Sequence, residues 1–273
     1  MKVYISADME GTSGIVHSNQ TEPEHAEYAL ARKLMIGEVN AAIEGALAAG
    51  AQEILVNDSH DGMRNLLPED VHPAAVLLSG APKPHSMMTA IDSTFDAVFF
   101  TGYHARAGSF FANLDHTWDG PRVVQGVWLN GVEVGEVGLN AALAGYFGVP
   151  VALFTGDQTA CAQAKELLGD DLETVVVKEA VGRVAAKNLH PTKARELIRA
   201  GAERALKTKR ALFIVNPPIT LRIALARSSQ AEQCVLMPDV KRIAPRSVEF
   251  THDDYAVVYN AFRVLLTLGS IQA

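Results

Sequence analysis

The sequence predicts an α/β fold, a three-layer sheet with helices on both faces, joined to a smaller C-terminal α+β region. Three observations carry that expectation. Strand-like and helix-like segments alternate over the first part of the 273-residue chain, the mark of a largely parallel sheet covered on both sides. The strand-like runs are continuous and apolar, as strands buried on both faces are. After Gly169 the texture changes to shorter strands mixed with helices, so a boundary is expected there, between residues 1–168 and 169–273.

The elements follow in order. "KVYIS" reads as the first strand, and "EPEHAEYALARKLMIGEVNAAIEGALAAG" as a long helix rich in Ala, Leu and Glu, closed by Gly50. "EILVND" is the next strand, followed by the loop "SHDGMRNLLPEDVHP". "AVLLSG" is a third strand, "KPHSMMTAID" a short helix and "DAVFFTGYH" a fourth strand. "RVVQGVWLNGVEVGE" holds two strand-like runs around Asn130-Gly131, a dipeptide that favours a hairpin turn. A helix "VGLNAALAGYFG", a strand "VPVALFTGD" and a helix "QTACAQAKELLG" lead to Gly169. Beyond it, "ETVVVKEA", "PTKARELIRAGAERALK", "ALFIV", "TLRIALA", "KRIAPRSVEFTH" and "DDYAVVYNAFRVLLTLG" make up the mixed region.

Composition excludes several classes. A formal net charge of −7 argues against a nucleic-acid surface. No apolar run reaches the length of a membrane span, and the N-terminus lacks the regions of a signal peptide. The two cysteines, Cys161 and Cys234, form neither a disulfide framework nor a zinc-finger spacing, so a reducing cytoplasm is the expected compartment. No Gly-x-Gly-x-x-Gly follows the first strand, which disfavours a dinucleotide site. The nine histidines do not cluster, so any metal site has to be assembled from distant segments.

In an open α/β sheet, ligands bind beyond the carboxyl ends of the strands. Asp8 and Glu10 lie there after the first strand, Asp58, Ser59 and His60 after the second, and Tyr103 and His104 after the fourth. Residues two apart share one side of an extended backbone, so Asp8 and Glu10 are expected to face one crevice. Carboxylates with imidazoles suit zinc, manganese or iron. A divalent cation removes the cost of burying unpaired acids, and one acid can bridge two such ions. The bland alternative makes Asp8 a turn cap and Glu10 a solvated side chain.

Four motifs now stand in order: Ser6-Ala7-Asp8-Met9-Glu10-Gly11, "VNDSH" ending in His60, "GYHARA" containing His104, and "VGEVGLNAALAGY" containing Glu136. Over nearly its whole length the chain resembles the zinc D-aminopeptidases of the dipeptide-transport operon type (DppA-type). The resemblance implies a binuclear enzyme with two Zn2+ per subunit. It implies hydrolysis of short peptides with a D-amino acid at the N-terminus, in a ring-like, decameric homo-oligomer. Residues 1–168 would be the metal-binding catalytic domain. Carried over by motif, Asp8 would be the bridging ligand, with Glu10, His60, His104 and Glu136 completing the set. Glu133 is a neighbour that the motif does not select. The family's active-site histidine matches His116 in "LDHTWDG", beyond the divergent segment "ARAGSFFANLD".

A two-metal site acidifies a bound water, so that hydroxide is available for attack on the scissile amide at working pH. His116 would assist by moving a proton, stabilising the oxyanion or attacking directly; otherwise it is a loop residue packed by Trp118. Cys161 reads as a packed residue and Asp157 as a helix cap. His17, His25, His72, His85, His190 and His252 read as surface or structural, and the basic helix from Lys193 to Lys209 as a solvated face. Two rivals remain: a metallohydrolase of another amide or ester, and a non-catalytic oligomeric binding protein of the same fold. The intact ligand set argues against the second.

Overall fold

The structure, a computed structural model, describes residues 1–120 and 122–271. Strands β1 (Lys2–Ala7), β2 (Glu53–Asp58), β3 (Ala75–Leu78), β4 (Ala97–Thr101), β7 (Val151–Asp157), β8 (Glu173–Gly182) and β9 (Ala185–Asn188) form a seven-stranded sheet in the order β3-β2-β1-β4-β7-β8-β9. All neighbours are parallel except β8 and β9. A second, antiparallel sheet has the order β11-β12-β10-β5-β6, from β5 (Val124–Leu129), β6 (Val132–Val134), β10 (Ile219–Leu225), β11 (Lys241–Ala244) and β12 (Ser247–His252).

The helices are α1 (Tyr28–Ala48), α2 (Glu136–Tyr146), α3 (Gln158–Leu168), α4 (Pro191–Ala205), α5 (Ser228–Cys234) and α6 (Tyr255–Ser270). The alternation of β1 assigns them to layers. Val3, Ile5 and Ala7 enter the core shared with α1 and α4, whereas Tyr4 enters the opposite core, shared with α2, α3, α6 and the second sheet. The main sheet is thus apolar on both faces, as its continuous strand sequences require.

The sheets do not divide at Gly169. β8 and β9, which follow it, complete the main sheet, while β5 and β6, which precede it, pair with β10 in the second sheet. Three local expectations also change. Residues 22–26 are turns rather than the first turns of α1, after Pro23 and with no side-chain cap at Glu27. "KPHSMMTAID" forms only a 3-10 turn over Ser86–Met88, because Ser86 at its start and Ala90 beyond it take φ values of +47° and +68°, which a right-handed helix cannot run through. "ALFIV" (211–215) joins no sheet; its Phe213 carbonyl packs against Gly145, where a Cβ would lie 2.0 Å from that oxygen.

The strand order reverses direction between β1 and β4: β2 and β3 extend one way, β7 and β8 the other. Such a switch point leaves a crevice at the carboxyl ends of the two central strands.

Candidate metal centre

The ends of β1 and β4 are stitched together by main-chain bonds. Asp8 N–H donates to Thr101 O at 2.8 Å and Gly11 N–H to Gly102 O at 2.7 Å. The approach requires two glycines: a Cβ on Gly11 would sit 1.9 Å from Tyr103 O, and Gly102 has a φ of +67° with its Cβ position 2.2 Å from Asp8 O. Lys178, buried on β8, holds the loop from below by donating its ammonium to the carbonyls of Glu10 and Ile15. Asp58 is an anchor: its carboxylate accepts the Asn65 and Leu66 N–H groups and the Asn65 amide, shaping the loop that carries His60.

Asp8, Glu10, His60, His104 and Glu136 converge beyond these strand ends, and each is only 3 to 8 % exposed. His60 Nε2–H donates to Thr21 O at 2.8 Å, which leaves the Nδ1 lone pair facing Asp8 Oδ1 at 3.3 Å and Glu10 Oε2 at 3.1 Å. His104 is turned the other way. Its Nδ1–H donates to Ala105 O at 3.0 Å, and Nε2 faces Asp8 Oδ2 at 3.5 Å and Glu136 Oε1 at 3.4 Å. Glu136 opens α2 and its Oε1 also accepts the Trp118 N–H at 2.6 Å.

The donor set passes a test of fit for a divalent cation. Asp8 Oδ2 and His104 Nε2 are buried without a hydrogen-bond partner among the described residues. Two donors about 2.1 Å from one tetrahedral zinc lie about 3.4 Å apart, and the imidazole–carboxylate separations run from 3.1 to 3.5 Å. A second-sphere carbonyl that fixes one ring nitrogen and frees the other is the usual setting of a metal-bound histidine.

The charges are mutually dependent. Burial and the neighbouring Glu10 push the Asp8 carboxyl up to about 7. Glu10 is held well below the usual carboxylate range, the cost of its own burial being outweighed by His60. Burial disfavours the cationic ring of His104, yet Glu136 and Asp8 raise it to about 10. Three acids crowded together recruit protons on the imidazoles, and a divalent cation competes for those same lone pairs.

His116 lies beside this cluster with 18 % of its side chain exposed, more than any of the five. Its Nδ1–H donates to Leu114 O at 2.8 Å, and its Nε2 stands 3.9 Å from Glu136 Oε1. Burial and then His104 hold its pKa below the ordinary histidine value. Together His104, His116 and Glu136 form one close donor group, and Asp8, Glu10 and His104 another.

All six residues singled out in the sequence therefore meet at one place. Glu133 does not: it sits on β6 and pairs with Arg106 at 3.3 Å. Asp157 caps α3, accepting from Thr159 and Ala160, and Cys161 is buried with its thiol pushed up by burial. His17, His72, His190 and His252 each accept a main-chain N–H two residues on. The centre opens into a crevice of about 480 Å³, whose walls include Lys83 and Arg263. Neither was visible in the sequence, since both arrive through tertiary contacts.

A parallel sheet whose switch point gathers buried acids and imidazoles has the architecture of an α/β metallohydrolase. The chain belongs to the D-aminopeptidase family Peptidase_M55, which it matches over residues 1–264, and it is a peptide hydrolase of that family. It is 38% identical over 275 residues to the D-aminopeptidase of Bacillus subtilis (strain 168), with 98% of each chain covered. Among solved structures it is similar to the Zn-dependent D-aminopeptidase DppA from Bacillus subtilis, described as a self-compartmentalizing protease. That likeness has a TM-score of 0.95 at 37% identity and covers 99% of this chain and 98% of the other.

Proposed function

We propose that the chain is a binuclear zinc aminopeptidase that releases a D-configured N-terminal residue from short peptides. One observation carries the two-ion reading. Asp8 turns Oδ1 toward His60 and Oδ2 toward His104, while each imidazole spends its other nitrogen on a main-chain carbonyl. Asp8, Glu10 and His60 would hold one ion; Asp8, His104 and Glu136 would hold the other. When bound, the pair supplies Lewis-acid polarisation of the scissile carbonyl and acidifies water toward neutrality.

The chain's own residues do the rest. The crevice admits the peptide terminus. His116, with Nδ1–H fixed by Leu114 O, presents the lone pair of Nε2 in its neutral form. It takes a proton at Nε2 during attack and returns it to the leaving amine. All six residues precede Gly169, which supports assigning metal binding and catalysis to residues 1–168.

We also propose that copies of the chain close into a homo-oligomeric ring, decameric as the family resemblance implies, in the cytoplasm. Likeness to a protein described as a self-compartmentalizing protease supports the closed assembly. No helix among the described residues is long and apolar enough to cross a membrane.

The test is a peptide panel with D- or L-residues at the N-terminus, run before and after chelation. Hydrolysis of the D-peptides should vanish on chelation and return with zinc. Full activity in protein found metal-free by elemental analysis would overturn the zinc assignment. Cleavage of unrelated amides or esters alone would overturn the substrate class.

A further inference from the structure

The crevice carries cations as well as acids. Its lining holds the acids Asp8, Glu10 and Glu136 of the centre, further acids in Glu22, Asp61 and Asp119, and two inward cations, Lys83, from the loop after β3, and Arg263, from α6. Neither forms a close ion pair with a carboxylate among the described residues, although Asp58 attracts the Lys83 ammonium at longer range. The Lys83 ammonium, on a residue only 8 % exposed, donates to Asn57 Oδ1 and Asp58 O, two neutral acceptors, and has a third N–H to spare. Arg263 is half-buried, with Nη1–H directed at Lys83 O at 3.4 Å and its guanidinium 6.0 Å from the centre of the Trp118 ring. Among the described residues, most of its five donors are unspent. Arg122, an exposed residue lining the same crevice, is by contrast paired with Asp119 at 3.5 Å.

Sheltered cations whose counter-charge is distant gain from a ligand that brings an anion into contact. Guanidinium is well suited to a carboxylate, which it can hold through two parallel bonds. Trp118 connects this wall to the reacting end, since its main-chain N–H holds Glu136 while its ring lies under Arg263.

We infer that Lys83 and Arg263 form an anion subsite for the C-terminal carboxylate of a short peptide whose N-terminus lies at the metal centre. The inference rests on the aminopeptidase reading above and goes further. It makes the substrate class free-acid oligopeptides short enough to span the crevice, and it explains how an exopeptidase would measure its substrate from both ends.

The zinc-loaded protein is assayed with D-alanyl-glycine and with its C-terminal amide. The wild type should favour the acid by about tenfold or more in kcat/KM, the range expected for losing a hydrogen bond to a charged group. Arg263→Gln should bring that ratio toward one, chiefly by raising KM for the acid, and Arg263→Lys should recover part of it. Lys83→Met should move the ratio the same way, with melting temperature measured on each variant. Equal use of acid and amide by the wild type overturns the subsite, as does an Arg263→Gln variant that keeps the wild-type ratio. Should neither peptide be cleaved, the aminopeptidase reading fails. The subsite is then judged by calorimetry, where tighter binding of acid than amide supports it and equal binding overturns it.

Discussion

His104 and His116 lie face to face, their ring centroids 3.8 Å apart and their planes 12° from parallel. The stack holds His116 against a ring whose Nε2 faces two acids, while Leu114 O fixes its Nδ1. Burial and His104 keep its pKa low, and cations nearby would act in the same direction. A neutral imidazole so placed carries protons without being a required ligand. His116→Ala should retain zinc and fold normally but lose at least about a hundredfold in turnover. Zinc stoichiometry, melting temperature and kcat on one sample decide the matter. Loss of one zinc would make His116 a ligand instead, and turnover within a few-fold of the parent would remove it from the chemistry.

Asp8 is the side chain that faces both histidines. Asp8→Ala should therefore deplete both zinc positions. His60→Ala should deplete one, with activity partly recovered in excess zinc. Elemental analysis of the two variants checks this, and normal occupancy in Asp8→Ala would disprove the bridge.

Gly11→Ala places a methyl 1.9 Å from the Tyr103 carbonyl oxygen, where main chain has to move. A forced overlap of this kind costs about 2 kcal/mol or more. Thermal melting should show a drop of at least about 5 °C, together with weakened zinc binding. Gly182→Ala, with nothing within 4 Å of its Cβ position, is the control and should melt like the parent.

Glu38 gives a pH signature remote from the metals. It is buried on α1, with Oε1 accepting the Ser13 N–H and Oε2 lacking a hydrogen-bond partner among the described residues. Burial pushes its pKa up to about 7, against the opposing pull of that N–H, Lys178 and Arg195. The folded-state value is raised, so Glu38 favours folding fully below the unfolded value of about 4.3. That contribution is lost as pH rises through about 7. Glu38→Gln removes the titration. Its stability relative to wild type should rise between pH 5 and pH 8, by up to about 3 kcal/mol. Denaturant melts at the two pH values measure the change, and a constant difference would refute it.

What could be read from the sequence was what neighbours in the chain determine. Asp8, Glu10, His60 and His104 stand just past apolar strands, and strand ends are where an α/β sheet presents its ligands. The stacking of His116 on His104 was not legible, because it depends on how the loop from 105 to 116 returns across the crevice. Lys178 left a faint trace as a cation inside "TVVVKEA", a run otherwise fit for the core. Lys83 and Arg263 left none, since their meeting joins residues 180 positions apart. "ALFIV" reads as a strand by composition, yet it runs along α2, with the Phe213 carbonyl against Gly145, instead of pairing with a sheet. β5 and β6 join the second sheet because β10 pairs with β5, a contact that local sequence does not encode.

Lys178 grips the loop bearing Asp8 and Glu10 by main-chain carbonyls, and the bonds from Gly11 and Asp8 do the same from the β4 side. None of these contacts involves a metal. Bonds of this kind do not depend on an ion, so they lower the ordering entropy that would be charged against binding one. Loading then becomes an exchange of protons for cations inside a standing frame. A cell could strip and refill such a centre without sending the chain back through folding, and competition between metals would be settled by supply, donor chemistry and the geometry of the frame.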